Sequence, residues 1–185
     1  MLIQNTVKLA MSGLLIAIGL IIPMFSPIKI LLEPASFTLA SHVAIFVAMF
    51  ISPGVAVSVA AGTAIGFFLG GFPIIIVLRA ATHIIFAIIG SLYIHTGVRL
   101  SIVKLRVFSF LIAVIHAASE VVVVTVFYFS GNISPLNLEK GFITSVILLV
   151  GLGTVIHSMI DFEIARIIIF PMKKQKNLAV YFAKC

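Results

Sequence analysis

Hydrophobic residues in this chain form long runs, separated by short segments that contain polar residues, glycine or proline. A helix needs about 20 apolar residues to cross a bilayer. The pattern predicts an all-α integral membrane protein, with residues 1–185 forming one membrane domain of six transmembrane helices. The predicted helices cover about residues 7–25, 39–51, 55–69, 72–94, 107–129 and 141–161, followed by a basic C-terminal tail at residues 162–185, and the last helix could also continue to Phe170. Because the second and third runs are short, four or five spans would also fit.

The composition agrees with a membrane protein and argues against other classes. Hydrophobic residues make up 62% of the chain and charged residues 9%, whereas soluble domains carry about 25% charged residues. The formal net charge of +7 does not indicate nucleic-acid binding, because the basic residues lie at the ends of apolar runs. The single cysteine, Cys185, excludes a disulfide framework. The first run lacks a cleavage signal and is expected to remain as a helix.

The distribution of basic residues predicts the orientation. With the N-terminus inside, only Lys29 and Lys140 fall on outer segments, and Arg79 lies within a helix. The other basic residues fall on inner segments: Lys8, Arg99, Lys104, Arg106, Arg166, Lys173, Lys174, Lys176 and Lys184. Inner loops of membrane proteins are enriched in lysine and arginine, so both termini are expected to be cytoplasmic.

Position along each run gives a depth, because helices rise about 1.5 Å per residue. Four polar side chains are expected at depths of roughly 5–16 Å from the outer surface: Arg79, His83, Glu120 and His42. His116 is expected at a depth of roughly 20 Å. His157 and Asp161 are expected roughly 24–30 Å from the outer end of the sixth helix, near the cytoplasmic face. The depths therefore predict a site in the outer half of the membrane that does not include His157 and Asp161.

Charged residues inside a membrane are expensive and usually functional. Arg79 and His83 are spaced i, i+4, so they share one face of the fourth helix. The Arg79 guanidinium could hold a carboxylate or another acceptor of a ligand, or form a structural ion pair with Glu120. Glu120 is spaced i, i+4 from His116 and could orient Arg79, receive a ligand donor or relay protons. The histidines could contact a ligand or be satisfied within the interior.

Other features complete the candidate sites. Phe37 and His42 belong to the first connector, which could form a lid over a cavity and place Phe37 against an aromatic ring. Gly13 and Ala17 form a small-xxx-small patch, which suits either internal packing or docking of another membrane subunit. No catalytic site is predicted. No H-x-x-x-H or C-x-x-C pair is present, so no metal site is expected, although nickel or cobalt would be the ions to check.

The chain resembles the S components, the substrate-binding membrane subunits, of energy-coupling factor (ECF) vitamin transporters, and is most similar to the niacin-specific members. The resemblance rests on EPASFTLASHVAIFVAMFISP at residues 33–53, GFFLGGFP at 66–73 and VLRA at 77–80. It covers most of the first four predicted helices. The usual Ala-x-x-x-Ala motif of the family's first helix is replaced here by Gly13-x-x-x-Ala17.

The resemblance implies a bacterial plasma-membrane protein that captures a vitamin from outside and topples in the membrane to release it inside. A T subunit and two ABC-type ATPases would be its partners, and they would hydrolyse ATP, since this chain lacks ATPase motifs and needs no cofactor of its own. Nicotinate suits the candidate site, with hydroxymethylpyrimidine or pyridoxine as alternatives. Two hypotheses of other classes are a standalone proton-coupled carrier that uses Glu120 and Asp161, and a structural membrane subunit without a ligand.

Overall fold

The computed structural model describes residues 2–32, 34–98 and 101–183, so Glu33 of the connector and the counted charges Arg99 and Lys184 lie outside the described residues. The described chain is mainly helical. Its helices are α1 Leu2–Phe25, α2 Val43–Ile51, α3 Pro53–Leu69, α4 Ile74–Ile94, α5 Ile102–Phe129, α6 Pro135–Glu139, α7 Gly153–Lys174 and α8 Lys176–Ala179. A π-helical segment, Ile143–Leu152, runs directly into α7.

Four of the described helices are long and apolar enough to cross a bilayer. They are Gln4–Phe25, Ile74–Ile94, Ile102–Phe129 and the continuous helix Ile143–Lys174. Their outer faces carry large exposed apolar side chains, such as Leu9 at 74% exposure and Phe129 at 73%. Contiguous apolar surface of this kind requires an apolar surrounding. The predicted class, an all-α membrane protein, therefore fits the structure.

The second and third predicted runs correspond to helices α2 and α3, which are separated at Ser52. The Ser52 hydroxyl accepts the Val55 N–H at 3.2 Å, and Pro53 occupies the first turn of α3. All nine residues of α2 are buried. A helix of this length spans about 14 Å, which is less than half of the hydrocarbon core of a bilayer. Helix α2 is therefore an interior helix, surrounded by α1, α3, α4 and α7.

The first connector contains a β-hairpin that the sequence pattern did not predict. Strand β1, Lys29–Leu32, pairs antiparallel with β2, Ala35–Thr38, in the register Lys29↔Thr38. The chain then turns inward, and Ala40 adopts a positive φ of 69°. This turn ends at His42, which directly precedes the buried helix α2. The connector consequently brings the His42 ring against the rings of His83, His116 and His157 on three helices.

The last long helix does not end at residue 161, as expected, but continues through most of the predicted basic tail to Lys174. The apolar run after Asp161 sustains the helix, and its two charged residues, Glu163 and Arg166, pair at 2.7 Å one turn apart. His157 and Asp161 therefore lie near the middle of a 32-residue helix. The structure does not separate them from the outer-half candidates, because Asp161 accepts the backbone N–H of His42 and the His157 ring lies 5.0 Å from the His42 ring.

Small residues allow α1 and α3 to pack closely. A Cβ on Gly62 would lie 2.8 Å from Ile16 Cγ1, and a Cβ on Gly19 would lie 2.8 Å from the Thr63 hydroxyl oxygen. Gly13, in contrast, has no heavy atom within 4 Å of the position that a Cβ would take. Gly13 and Ala17 are both exposed. The patch that they form lies on the outer surface of α1 and does not mediate packing within the described chain.

Candidate functional site

Arg79 and Glu120 form a buried ion pair between α4 and α5. Arg79 Nη2 donates to Glu120 Oε2 at 2.9 Å, and the side chains are 7% and 4% exposed. Arg79 Nη1 donates to the Pro34 carbonyl in the hairpin turn at 3.0 Å. The Thr154 hydroxyl donates to the same Glu120 oxygen at 2.8 Å. Arg79 thus links α4 to α5 and to the connector, as the ion-pair interpretation expects, and each of its terminal nitrogens donates one hydrogen bond.

Four histidines meet beside this ion pair. The His42 ring lies 4.7 Å from the rings of both His83 and His116, and 5.0 Å from the His157 ring, between ring centroids. The rings of His83 and His116 are also 4.7 Å apart. His42 therefore occupies the centre of the group, and it brings the connector into contact with α4, α5 and α7. These four residues are called the histidine cluster below.

Two carboxylates border the histidine cluster on opposite sides. Glu120 Oε1 lies 3.3 Å from His83 Nε2 and 3.5 Å from His116 Nε2. Asp161 Oδ2 lies 3.1 Å from His42 Nδ1 and 3.4 Å from His157 Nε2. Buried charges are stabilised when they are paired and hydrogen-bonded. The structure thus joins Glu120 and Asp161 into one polar network through the histidines.

Asp161 also fixes the backbone of the connector. Its Oδ1 accepts the Ala40 N–H at 2.8 Å, and its Oδ2 accepts the His42 N–H at 2.9 Å. The Ser41 hydroxyl lies 3.1 Å from His157 Nε2. These contacts satisfy backbone donors in a turn that contains a residue with positive φ. Asp161 and His157 therefore hold the connector in place, and they do so beside the candidate residues Arg79, His83 and Glu120.

A cavity lies beneath the hairpin, bordered by the connector and α1, α3, α4, α5 and α7. Charged or hydrogen-bonding groups line it together with the aromatic side chains of Phe37, Phe67 and Phe72. Its polar lining residues are Lys29, Ser36, Thr38, Ser41, His42, Thr63, Arg79, His83, Glu120, Thr154 and His157. The Phe37 ring lies 5.5 Å from the His157 ring. A mixed lining of this kind suits a small ligand with both polar groups and an apolar ring face.

The cavity brings together most of the residues that the sequence selected. Arg79, His83, Glu120, Phe37 and His42 line it directly. His116 lies behind His42 and His83, is fully buried, and places Nδ1 3.2 Å from the Ser158 hydroxyl. Gly13 and Ala17 are on the outer surface of α1, apart from the cavity.

Sequence reasoning missed the contribution of α7. Thr154, His157 and Asp161 are spaced i, i+3 and i+7, so they form one polar stripe on an apolar helix. Ser158, the next residue after His157, contacts His116. This polar stripe predicts that one side of α7 faces the interior. The depths counted along the helix placed the same residues outside the site.

Several buried polar atoms in this region have no hydrogen-bond partner in the described chain: Arg79 Nε, His83 Nδ1 and His116 Nε2. Buried polar groups are usually hydrogen-bonded, so unpaired ones require an explanation. The three atoms belong to residues of the cavity or of the histidine cluster.

Comparison with known proteins places the chain in a family. Over 165 residues it is 38% identical to the Niacin transporter NiaX of Lactococcus lactis subsp. cremoris (strain MG1363), which covers 85% of this chain and 71% of the relative. The chain belongs to the NiaX family of ECF S components. No family model and no solved structure matches it. As a NiaX-family member with several long apolar helices, it is a multi-pass transport protein of the cell membrane.

Proposed function

We propose that the chain is the niacin-binding S component of an ECF-type importer and that it captures nicotinate in the cavity beneath the hairpin. The observation that carries this proposal is the 38% identity to a niacin transporter over 85% of the chain. The cavity supports it with a cationic group, hydrogen-bonding groups and aromatic surface close together. Nicotinate would use all three, through its carboxylate, its ring nitrogen and its ring face.

The carboxylate of nicotinate would bind on the side of the cavity that carries Arg79 and Lys29. Arg79 Nε is buried without a partner and is available as a donor, and Lys29 lines the cavity. A charge-assisted hydrogen bond to a carboxylate is stronger than a neutral one. The pyridine ring would lie beside His42 and His83, with His116 behind them. Phe37 would cover the ring.

In this proposal both termini are cytoplasmic and six helices make up the membrane domain. The exposed patch of Gly13 and Ala17 would dock against the T subunit, where small residues permit close helix approach. Two ABC-type ATPases would supply the energy, and docking would topple the chain and release its cargo inside. The chain itself would be non-enzymatic and would need no ATP of its own.

Uptake measurements test this assignment. Cells without other niacin uptake, expressing this chain with a T subunit and two ATPases, should accumulate radiolabelled nicotinate. Cells that lack either this chain or the partner subunits should not. A standalone proton-coupled carrier is the competing function, and it would move nicotinate in liposomes that contain this chain alone. Uptake by such liposomes without ATP would refute the S-component mechanism.

A second candidate ligand is a neutral pyrimidine or pyridine, such as hydroxymethylpyrimidine or pyridoxine. It is favoured by one observation, namely that each terminal nitrogen of Arg79 already donates a hydrogen bond within the chain, one to Glu120 and one to Pro34. A ligand without a carboxylate would leave this arrangement intact. Comparison of binding affinities for the charged and neutral compounds decides between the two.

A further inference from the structure

We propose that His42, His83 and His116 form a binding site for a divalent transition-metal ion. One potential ligand atom from each of these residues lies within 4.8 Å of those of the other two. They come from the connector turn, α4 and α5, so the fold alone brings them together. The sequence expectation of no metal relied on closely spaced ligand motifs, and this site contains none.

Each of the three rings has one nitrogen held by a neighbouring oxygen. His42 Nδ1 lies 3.1 Å from Asp161 Oδ2, His83 Nε2 lies 3.3 Å from Glu120 Oε1, and His116 Nδ1 lies 3.2 Å from Ser158 Oγ. Histidines that bind metals usually donate their other N–H to a carboxylate or a similar acceptor, which fixes the ring. All three histidines therefore have the outer partners that metal ligands require.

Two of the remaining ring nitrogens have no hydrogen-bond partner in the described chain. They are His83 Nδ1 and His116 Nε2, both buried, and His116 Nε2 lies 3.5 Å from Glu120 Oε1. The His42 side chain is 12% exposed and lines the cavity, which gives an ion a route to the site. Unpaired buried nitrogens are unfavourable without a bound group. An ion bound by these rings would supply such a group.

A second trio, His42, His157 and Asp161, also has its potential ligand atoms within 4.8 Å of one another. The polar atoms of Asp161 and His157 in this trio already contact the connector, however. Asp161 accepts the backbone N–H groups of Ala40 and His42, and His157 Nε2 contacts Ser41. This trio holds the connector in place, so the trio with unpaired nitrogens is the better metal site.

The donor set indicates the class of ion. Three imidazoles suit Zn²⁺, Ni²⁺, Co²⁺ or Cu²⁺, whereas Mg²⁺ and Ca²⁺ prefer oxygen ligands. Zinc–nitrogen bonds of about 2.0–2.1 Å place tetrahedral ligand atoms about 3.3–3.4 Å apart. The potential ligand atoms lie within 4.8 Å of one another, so the three rings would move closer together around a bound ion. The fourth position would remain open, as in other sites with three protein ligands.

The charge around the cavity gives a further reason for a bound metal ion, and this reason rests on the proposed function. Two carboxylates, Glu120 and Asp161, and two cations, Arg79 and Lys29, lie around the cavity and the histidine cluster. Their formal charges cancel, so together they give little net attraction for an anionic ligand such as nicotinate. A divalent ion beside His42 would add positive charge and attract a carboxylate.

Metal binding can be tested on the purified chain alone, carrying an affinity tag without histidines. After EDTA treatment and dialysis, titration with Zn²⁺ should show one ion bound per chain, and Mg²⁺ should not bind. Co²⁺ should give the visible absorption of a four-coordinate ion. Absence of Zn²⁺ and Co²⁺ binding to the folded chain would overturn the proposal. Because no nicotinate is present, that failure would leave the proposed substrate untouched.

Zn²⁺ binding to single-residue variants tests which side chains hold the ion. His83→Gln and His116→Gln should weaken Zn²⁺ binding by at least about a hundredfold, and Ser158→Ala, a milder change, by about tenfold to a hundredfold. His95→Gln is the control, because His95 lies outside the histidine cluster and should not affect binding. Loss of binding in His157→Gln together with normal binding in His116→Gln would place the ion in the second trio and refute this assignment. Unchanged binding in all of these variants would also refute it.

Discussion

The Asp161 carboxylate accepts the backbone N–H of Ala40, with its Oδ1 2.8 Å from the amide nitrogen, although the two residues are 121 positions apart in the chain. Ala40 has a φ of 69°, which is uncommon for a residue other than glycine. Such a conformation costs about 1–3 kcal/mol and persists only when its surroundings impose it. Asp161 supplies this constraint and thereby fixes the position of His42.

Asp161→Asn should therefore destabilise the protein. An amide has only one acceptor oxygen, so at least one of the N–H groups of Ala40 and His42 would lose its partner. An unsatisfied buried donor costs about 1–3 kcal/mol, and we expect the melting temperature to fall by about 2–10 °C. Circular dichroism in detergent is the suitable measurement, because the chain has no tryptophan.

Glu163→Gln is the matched control for this variant. Glu163 lies two residues further along the same helix and pairs with Arg166 on a partly exposed surface. Pairs of this kind contribute at most about 1 kcal/mol. Equal destabilisation by the two variants would contradict the role assigned to Asp161.

Arg79→Ala should strongly weaken the binding of a carboxylate ligand. The change removes the buried cation of the cavity, and a hydrogen bond to a charged group contributes about 1.5–3 kcal/mol. We expect nicotinate affinity to fall by at least about tenfold to a hundredfold. Isothermal titration of the purified variant measures this.

A double variant separates ligand contact from the structural ion pair. Arg79→Ala leaves Glu120 buried without its cation, which is itself destabilising. Arg79→Gln combined with Glu120→Gln removes both charges and keeps hydrogen-bonding groups in place. If nicotinate bound this double variant with normal affinity, Arg79 would serve only the ion pair, and its assignment to the ligand would be wrong.

Gly153→Ala should narrow the cavity from the side of α7. A Cβ on Gly153 would lie 2.5 Å from Phe37 Cζ, so the aromatic ring must move away from its present position. We expect weaker nicotinate binding with little loss of helix content, measured by titration and circular dichroism. Gly54→Ala is the control, because its Cβ would have no neighbour within 4 Å. Unchanged affinity in Gly153→Ala would show that Phe37 does not cover the ligand.

Leucine at Gly13 or Ala17 should impair uptake and leave ligand binding intact. Both positions are exposed on α1, so a larger side chain fits the isolated chain but would obstruct docking to another membrane subunit. Nicotinate uptake in cells and titration of the purified variants provide the two measurements. Loss of binding in the purified variants would indicate internal packing instead.

The sequence predicted the class of fold because long apolar runs determine membrane helices. It also selected Arg79, His83 and Glu120, since charged or titratable residues stand out within apolar helices. It could not show the connection to Asp161, because that requires the hairpin to turn inward and α7 to continue to Lys174. Depth counted along one helix fails when neither the end of the helix nor the path of the connector is known.

The hairpin itself was difficult to predict. Strands of four residues, such as Lys29–Leu32, produce apolar runs too short to distinguish strand from helix by periodicity. Thr154 was different, because its spacing from His157 and Asp161 places it on their polar face. The polar stripe of Thr154, His157 and Asp161 was therefore sufficient to assign α7 to the site from the sequence alone.

The most direct test of the central claim is calorimetric titration of the purified chain with nicotinate, nicotinamide, pyridoxine and hydroxymethylpyrimidine. We predict one nicotinate bound per chain, with an affinity at least about tenfold higher than for each of the other three compounds, a difference of about 1.4 kcal/mol. Absence of nicotinate binding, or tighter binding of pyridoxine or hydroxymethylpyrimidine, would contradict the assignment of this chain to niacin.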